Sequence, residues 1–334
     1  MLFQILLTVA RFKLLTREES SGSTQCSTRR FWKRSTGRFE PTLTSRLGGV
    51  IRALLAKLAW PVRVLWLIAA LLPNDLTDTM SSHSQVLRTT MSVELWLLWA
   101  LVALATWLHH PISLTTARCI VPVVVVHMLV GLPDSSFGVG NVIGAACALV
   151  AFVLIYTSDY GSIHVQAGAY GDERRYLLRV PAPIVMPLIL GWGVMAVVVC
   201  ITPLLLASEQ YVLGGVGVVL SLGLLWQLPV RLHRLSRRWL VKVPAGWVVH
   251  DDVVLSENLL VKTYDVVSMG LALEGSEALD LTGMTRGVPI EMQLREMTDV
   301  RLTPLAAKLL KTVDALHVKA FLVAPTRPTS LLNP

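Results

Sequence analysis

The chain has 334 residues, 53% of them hydrophobic and 16% charged, with a mean hydropathy of +0.59. Soluble domains carry roughly 25% charged residues, so this composition excludes an ordinary water-soluble domain and points to a membrane. The net charge of +8 sits at one end: residues 1–57 hold eleven Lys and Arg against three acids, and the rest is neutral, so the basicity is no argument for a nucleic-acid-binding fold.

Residues 1–57 alternate short apolar pieces with Ser, Thr and Arg, and read as a disordered basic arm. Its cluster at 28–38, with Phe31 and Trp32 among the basic residues, suits an anionic lipid surface, where each basic residue gains about 1 kcal/mol. Alternatively translation starts at Met80 or Met91 and the arm is not made. Residues 58–92 hold a marginal helix, with Arg52 and Lys57 before it, Pro61 and Arg63 within it and an apolar core only at 64–72. It either spans the membrane or lies in its interface.

Five stronger spans follow at 93–108, 117–132, 137–157, 183–207 and 211–228, each near the ~20 apolar residues that cross a ~30 Å hydrocarbon core. Trp96, Trp107, Tyr156, Tyr211 and Trp226 lie near span ends, as interfacial aromatics do. Residues 133–136 and 208–210 are tight turns between antiparallel neighbours. Arg118, then Arg174, Arg175 and Arg179, then Arg231, Arg234, Arg237, Arg238 and Lys242 mark one side of the membrane, while the short turns carry Asp134 and Glu209. The positive-inside rule then places the C-terminus in the cytoplasm, and a sixth span at 58–72 puts the basic arm inside as well. Gly140, Gly144 and Ala148, and Gly217 and Ser221, recur at four-residue spacing, which lets helices pack closely.

From residue 238 the pattern changes to short Val- and Leu-rich runs at 239–243, 247–250, 253–255, 259–262, 266–273 and 289–294, separated by two-residue turns. A helical stripe covers 305–316 and a last strand 318–323. The predicted fold class is therefore an all-α membrane helical bundle of five or six transmembrane helices, followed by a small β-rich (α+β) cytoplasmic domain at 238–334.

Chemistry is sparse. No nucleotide-binding glycine loop, HExxH, CxxC or GxSxG motif occurs. Cys26, Cys119, Cys147 and Cys200 read as packing residues. His109 and His110 close the first span and suit headgroup water; His127 lies inside the second, where an ionisable residue suggests either a function or a hydrogen bond to a neighbouring helix. Asp159, Asp172, Glu173, Arg174 and Arg175 fall in the 158–180 joint, which is either a solvated loop with local ion pairs or a headgroup or phosphate site. Asp251-Asp252 reads as turn chemistry. Pro122, Pro187 and Pro203 interrupt spans, yet the spans carry no central charged residue, which argues against an ion-coupled transporter. The candidate polar site is thus His127, Asp159, Arg174 and Arg175; no catalytic, metal or cofactor-binding residue is assigned, and no cofactor is expected.

The segments Arg237-Arg238-Trp239-Leu240-Val241-Lys242-Val243-Pro244-Ala245-Gly246, Val248-Val249-His250-Asp251, Asp280-Leu281-Thr282-Gly283 and Ala324-Pro325-Thr326-Arg327-Pro328 resemble multi-pass actinobacterial membrane proteins. The resemblance covers residues 92–334. It implies a helical bundle with a cytoplasmic β-domain similar to pleckstrin-homology-like modules, and it supplies no catalytic residues. The expectation is a non-enzymatic integral membrane scaffold or cell-envelope-associated factor. Its partners are the lipid bilayer and, at the cytoplasmic domain, a protein or anionic lipid, with no nucleic acid and the oligomeric state left open. The alternative is a small-solute or lipid transporter or membrane enzyme that uses His127 and the 158–180 joint.

Overall fold

Long apolar runs form helices because only a helix pairs every backbone N–H and C=O within one apolar segment. The computed structural model describes residues 59–71, 84–131 and 139–332. The basic arm, most of the 73–92 loop and the 133–136 turn lie outside the described residues.

Helix α1 (Ala59–Ile68) continues into a 3-10 turn at Ala69–Leu71. It is followed by α2 (Gln85–Trp107), α3 (Pro111–Gly131) and α4 (Val139–Tyr156). Ser84 caps α2, its hydroxyl accepting from Leu87 N at 3.3 Å, so the helix begins eight residues before the apolar run itself. At Thr157 the chain bends by 62° into α5 (Ser158–Ala167), and the Thr157 hydroxyl caps the new helix by accepting from Tyr160 N. Strand β1 (Arg174–Leu177) precedes α6 (Ala182–Ala207) and α7 (Tyr211–Ser236).

Three of these helices, α2, α6 and α7, are long and apolar enough to cross a membrane, or four when the bent α4–α5 pair is counted as one; α1 and α3 contribute shorter apolar stretches. Only 11% of the apolar window of α6, and of α7, is buried in the protein. A helix in water would hide such a surface, so these are the outward apolar faces of a membrane-associated protein.

The helices share a core. Val62 and Trp66 of α1 and Ala69 of the 3-10 turn pack with Val102 and Ala105 of α2, Leu114 to Val124 of α3 and Ala148 to Ile155 of α4. Two reciprocal bonds fix α1 antiparallel to α2: the Trp66 indole donates to Trp99 O at 3.0 Å, and the Trp99 indole to Trp66 O at 2.9 Å. The marginal helix of the sequence reading is therefore a full member of the helix cluster.

The remaining strands are β2 (Trp239–Val243), β3 (Gly246–His250), β4 (Leu259–Lys262), β5 (Val266–Leu271), β6 (Leu279–Asp280), β7 (Ile290–Arg301) and β8 (Ala315–Val323). They form two four-stranded sheets, β1-β2-β3-β4 and β5-β7-β8-β6, antiparallel except for β6 against β8. Leu240, Val249 and Val261 of the first sheet share one core with Ile290, Met292 and Phe321 of the second. The other face of the first sheet, Leu177, Trp239 and Val241, packs on Val165 of α5. The sheet takes its first strand from the 158–180 joint, so the sheets and helices interlock along the chain.

Two local readings differ from the sequence pattern. Residues 252–254 form a turn, because Asp251 Oδ1 accepts from Val253 N and Val254 N and holds the chain there, and Leu255 makes an isolated antiparallel bridge to Leu302. The helical stripe at 305–316 splits into α8 (Pro304–Leu310) and the start of β8, because Lys311 takes a left-handed conformation (φ 53°) that ends the helix. A short α9 (Pro328–Leu332) follows β8 and buries Leu331.

Gly246 opens β3 directly after the Pro244-Ala245 turn, and a Cβ there would lie 2.1 Å from Val261 O. Backbone cannot give way as a side chain can, so Gly246→Ala is expected to destabilise the sheets by about 1–3 kcal/mol. A thermal melt followed by near-ultraviolet circular dichroism would show a lowered midpoint; an unchanged midpoint would contradict the Gly246–Lys262 register.

Candidate functional site at the junction of helices and sheets

The polar residues gather where the helices meet the first sheet. Arg63 on α1 is buried; its Nε donates to Thr106 O at 3.1 Å and its Nη2 reaches His109 Nε2 at 3.1 Å. Its guanidinium lies over the Trp107 ring at 4.6 Å and the Trp60 ring at 5.1 Å. A guanidinium only donates, so His109 Nε2 accepts and the imidazole is neutral. Burial, then the adjacent Arg63 charge, push the His109 pKa below its usual value.

The His109 ring lies 5.5 Å from that of His164, which α5 brings in from the sheet side. His164 is fully buried and packs 4.6 Å from Tyr160. Its Nδ1 donates to Tyr160 O at 3.0 Å, which leaves Nε2 as an acceptor. Neither that Nε2 nor the Tyr160 hydroxyl has a hydrogen-bond partner, although both are buried. Desolvation pushes the His164 pKa down to about 4; the bond to Tyr160 O opposes this, and the Arg118 charge acts in the same direction as burial.

Arg118 of α3 closes the end of α4. Its Nε donates to Ile155 O at 3.2 Å and its Nη2 to Thr157 O at 3.3 Å, while the Tyr156 hydroxyl donates back to Arg118 O at 2.6 Å. Ile155 O lies in the last turn of α4, where a carbonyl has no helical partner, and a cation suits that negative end of the helix dipole, while Thr157 O also accepts from Gly161 N of α5. Arg118 thereby holds the 62° bend that aims α5 at the sheet. On the other side, the Thr115 hydroxyl donates to Ser236 Oγ at 2.8 Å, tying α3 to the end of α7.

Beyond α7, Arg238 makes a buried two-pronged ion pair with Asp251: Nε to Oδ1 at 2.8 Å and Nη2 to Oδ2 at 2.6 Å, both side chains 1% exposed. Arg238 also donates to Arg179 O, so one guanidinium holds β2, β3 and the segment leading into α6. Asp251 of the Asp251-Asp252 pair is thus an ion-pair partner as well as the turn residue that sequence predicts; Asp252 pairs with Arg237 at 3.7 Å.

Of the four residues expected at a polar site, three fall at this junction. Arg174 and Arg175 are on β1, where Arg175 pairs with Glu173 at 3.0 Å and lies over the Trp239 ring at 5.2 Å; Asp159 pairs with Arg327 after β8. His127 is elsewhere, nine residues and about 14 Å along α3 from Arg118. Its Nδ1 donates to Val123 O, and it faces Glu94, which accepts from the Cys200 thiol. Glu94 is the tenth residue of α2, so one apolar helix does carry an acid in its interior.

Sequence reasoning missed Arg63, Tyr160 and His164. Arg63 carried a signal: a cation among Trp60 and Trp66 in a short apolar helix has to find partners in the protein. His164 carried none, since a polar ten-residue segment looks like a loop until a sheet covers it. Among the described residues no three His, Cys, Asp or Glu side chains form a metal-binding set. No protein-family model matches the chain, and neither does any curated protein or solved structure.

Proposed function

We propose that this is an integral membrane scaffold with six spans (α1, α2, α3, α4, α6 and α7) and a cytoplasmic β-domain that presents a binding surface to a protein or lipid partner. The observation that carries this reading is the charge asymmetry of the folded chain. Arg63, Arg118, Arg175, Arg179, Arg237 and Arg238 all gather at the helix ends that join the sheets, while the α6–α7 turn at the far end carries Glu209. That is the arrangement the positive-inside rule favours for a cytoplasmic junction. The antiparallel pairing of α1 with α2 supports the sixth span, since it starts α1 at the same end.

The binding surface on this reading is the open edge of β5. Val267 and Leu271 on it, and Tyr264 and Leu273 beside it, are all more than half exposed, and an unpaired edge offers backbone groups to an added strand. With a photo-crosslinking amino acid at Leu271 of the full-length protein in native membranes, a discrete, saturable adduct is expected, and Val267→Asp should abolish it. Absence of any adduct would overturn the reading of this edge. Topology is checked by impermeant thiol labelling: Glu209→Cys should react from outside and Leu273→Cys only after permeabilisation.

One observation favours a second reading, a small-solute transporter or membrane enzyme: the Glu94–Cys200 contact facing His127 inside the helices. On that reading Glu94→Gln and His127→Ala each abolish a cellular phenotype that Val267→Asp spares; the scaffold reading expects the reverse.

A further inference from the structure

The short helix α8 shows an odd division of its surface. Ala306 and Ala307 are buried in the shared core, while Leu305 and Leu309, one turn apart, are 53% and 42% exposed. Met284 and Val288 from the β6–β7 connection are exposed beside the same region. In water each exposed leucine forgoes about 1.5–3 kcal/mol of burial, and two together on a seven-residue helix need a reason.

The reason lies in what adjoins them. Leu305, Leu309 and Met284 line a small apolar cleft together with Pro181 and Ile184 at the start of α6. From that turn onward α6 exposes Met186, Ile189 and Leu190, the apolar face that would meet lipid. The apolar surface of α8 therefore continues the outward surface of α6 at the level where the helix leaves the sheets. Basic residues border it: Lys308 on the exposed side of α8, Lys311 at its end, and Arg286, whose carbonyl accepts from Arg179. Apolar residues in the acyl region with Lys and Arg at headgroup height is the pattern of an interfacial helix.

We infer that α8 and Met284 dip into the cytoplasmic leaflet beside α6, where Leu305, Leu309 and Met284 rest on the acyl chains of the surrounding bilayer and Lys308, Lys311 and Arg286 meet its anionic headgroups. This rests on the membrane reading above and adds to it a second, monotopic attachment, made by the β-domain itself. The sheets are then held at the membrane on two sides, by the Arg238–Asp251 pair and by α8.

The test uses the unaltered full-length protein in phosphatidylcholine–phosphatidylglycerol nanodiscs. The discs carry a phospholipid with a photoreactive diazirine high on its acyl chain, and adducts are mapped by mass spectrometry. Adducts are expected in α6 and α7 and also in the peptides holding Met284 and Leu305–Leu309, with none at Tyr264–Leu273. Leu305→Asp with Leu309→Asp should cut the yield at Met284 at least five-fold while leaving that in α7 unchanged, and pure phosphatidylcholine should lower it several-fold. Labelling of α6 and α7 with none at Met284 or α8 overturns the inference and leaves the membrane reading standing. Absence of labelling in α6 and α7 overturns the membrane reading itself. Equal labelling at Tyr264–Leu273 would show indiscriminate contact and would also overturn the inference.

Discussion

Replacing Arg238 with alanine is expected to cost about 3–5 kcal/mol of stability. The arginine and Asp251 are each 1% exposed, and removal of one leaves the other charged and buried without its partner. Asp251 would keep the bonds from Val253 N and Val254 N and so would stay fixed beside the space the guanidinium had filled. The loss also frees Arg179 O, which sits where the chain passes into α6. Hydrogen exchange of the full-length protein should show β2, β3 and residues 178–181 opening together, with α2 and α3 unaffected. The paired change Arg238→Met with Asp251→Leu removes both charges and should recover most of the loss, because desolvation offsets much of the attraction in such a pair. Similar losses in the single and double variants would show that the pair itself is not what holds the junction.

Acidification should loosen the same junction from the other side. His164 is neutral when folded, with a pKa of about 4, against about 6.5 when exposed. The unfolded state therefore binds more protons between these values. Stability is fully present above about pH 6.5 and falls as the pH drops toward 4, by about 3 kcal/mol in all. His109, shifted in the same direction, adds to the slope. The loss should concentrate in α5, whose exchange protection is expected to fall steeply from pH 7 to pH 5 while that of the β7–β8 pairing changes little. His164→Phe keeps a ring beside Tyr160 and removes the titrating group, so it should reduce the slope and spare the α5 protection at pH 5. An unaltered slope in that variant would place the titration elsewhere.

Both effects belong to a junction that is only partly legible in the sequence. The apolar runs at 183–207 and 211–228 correspond closely to α6 and α7, because lipid-length apolar segments have one solution for their backbone. Strands β2, β3 and β4 follow from the two-residue turn at Pro244-Ala245 and from Val and Leu runs, although Asp251 draws Val253 and Val254 into a turn. Residues 305–316 show why pattern runs out: Leu316 completes a helical stripe and also an alternating strand with Val318, and the choice falls to β7, which pairs with β8 across Ala315–Val323. The candidate residues Asp159, Arg174 and Arg175 were found by their charge in a short joint. His127 shared only residue type with them.

Composition and residue order by themselves determined that the chain is membrane-associated and that a β-rich region follows the apolar helices. Those are additive properties, each residue contributing wherever it lies in the fold. Only the tertiary structure decided that α1 joins the helix cluster through Trp66 and Trp99, and that β1 completes a sheet begun sixty residues later. It also decided that α5 is a clamp rather than a loop, and that Arg63, His109 and His164 meet. These depend on which faces pack together, and that is set by shape and by the pairing of buried polar groups between segments distant in the chain.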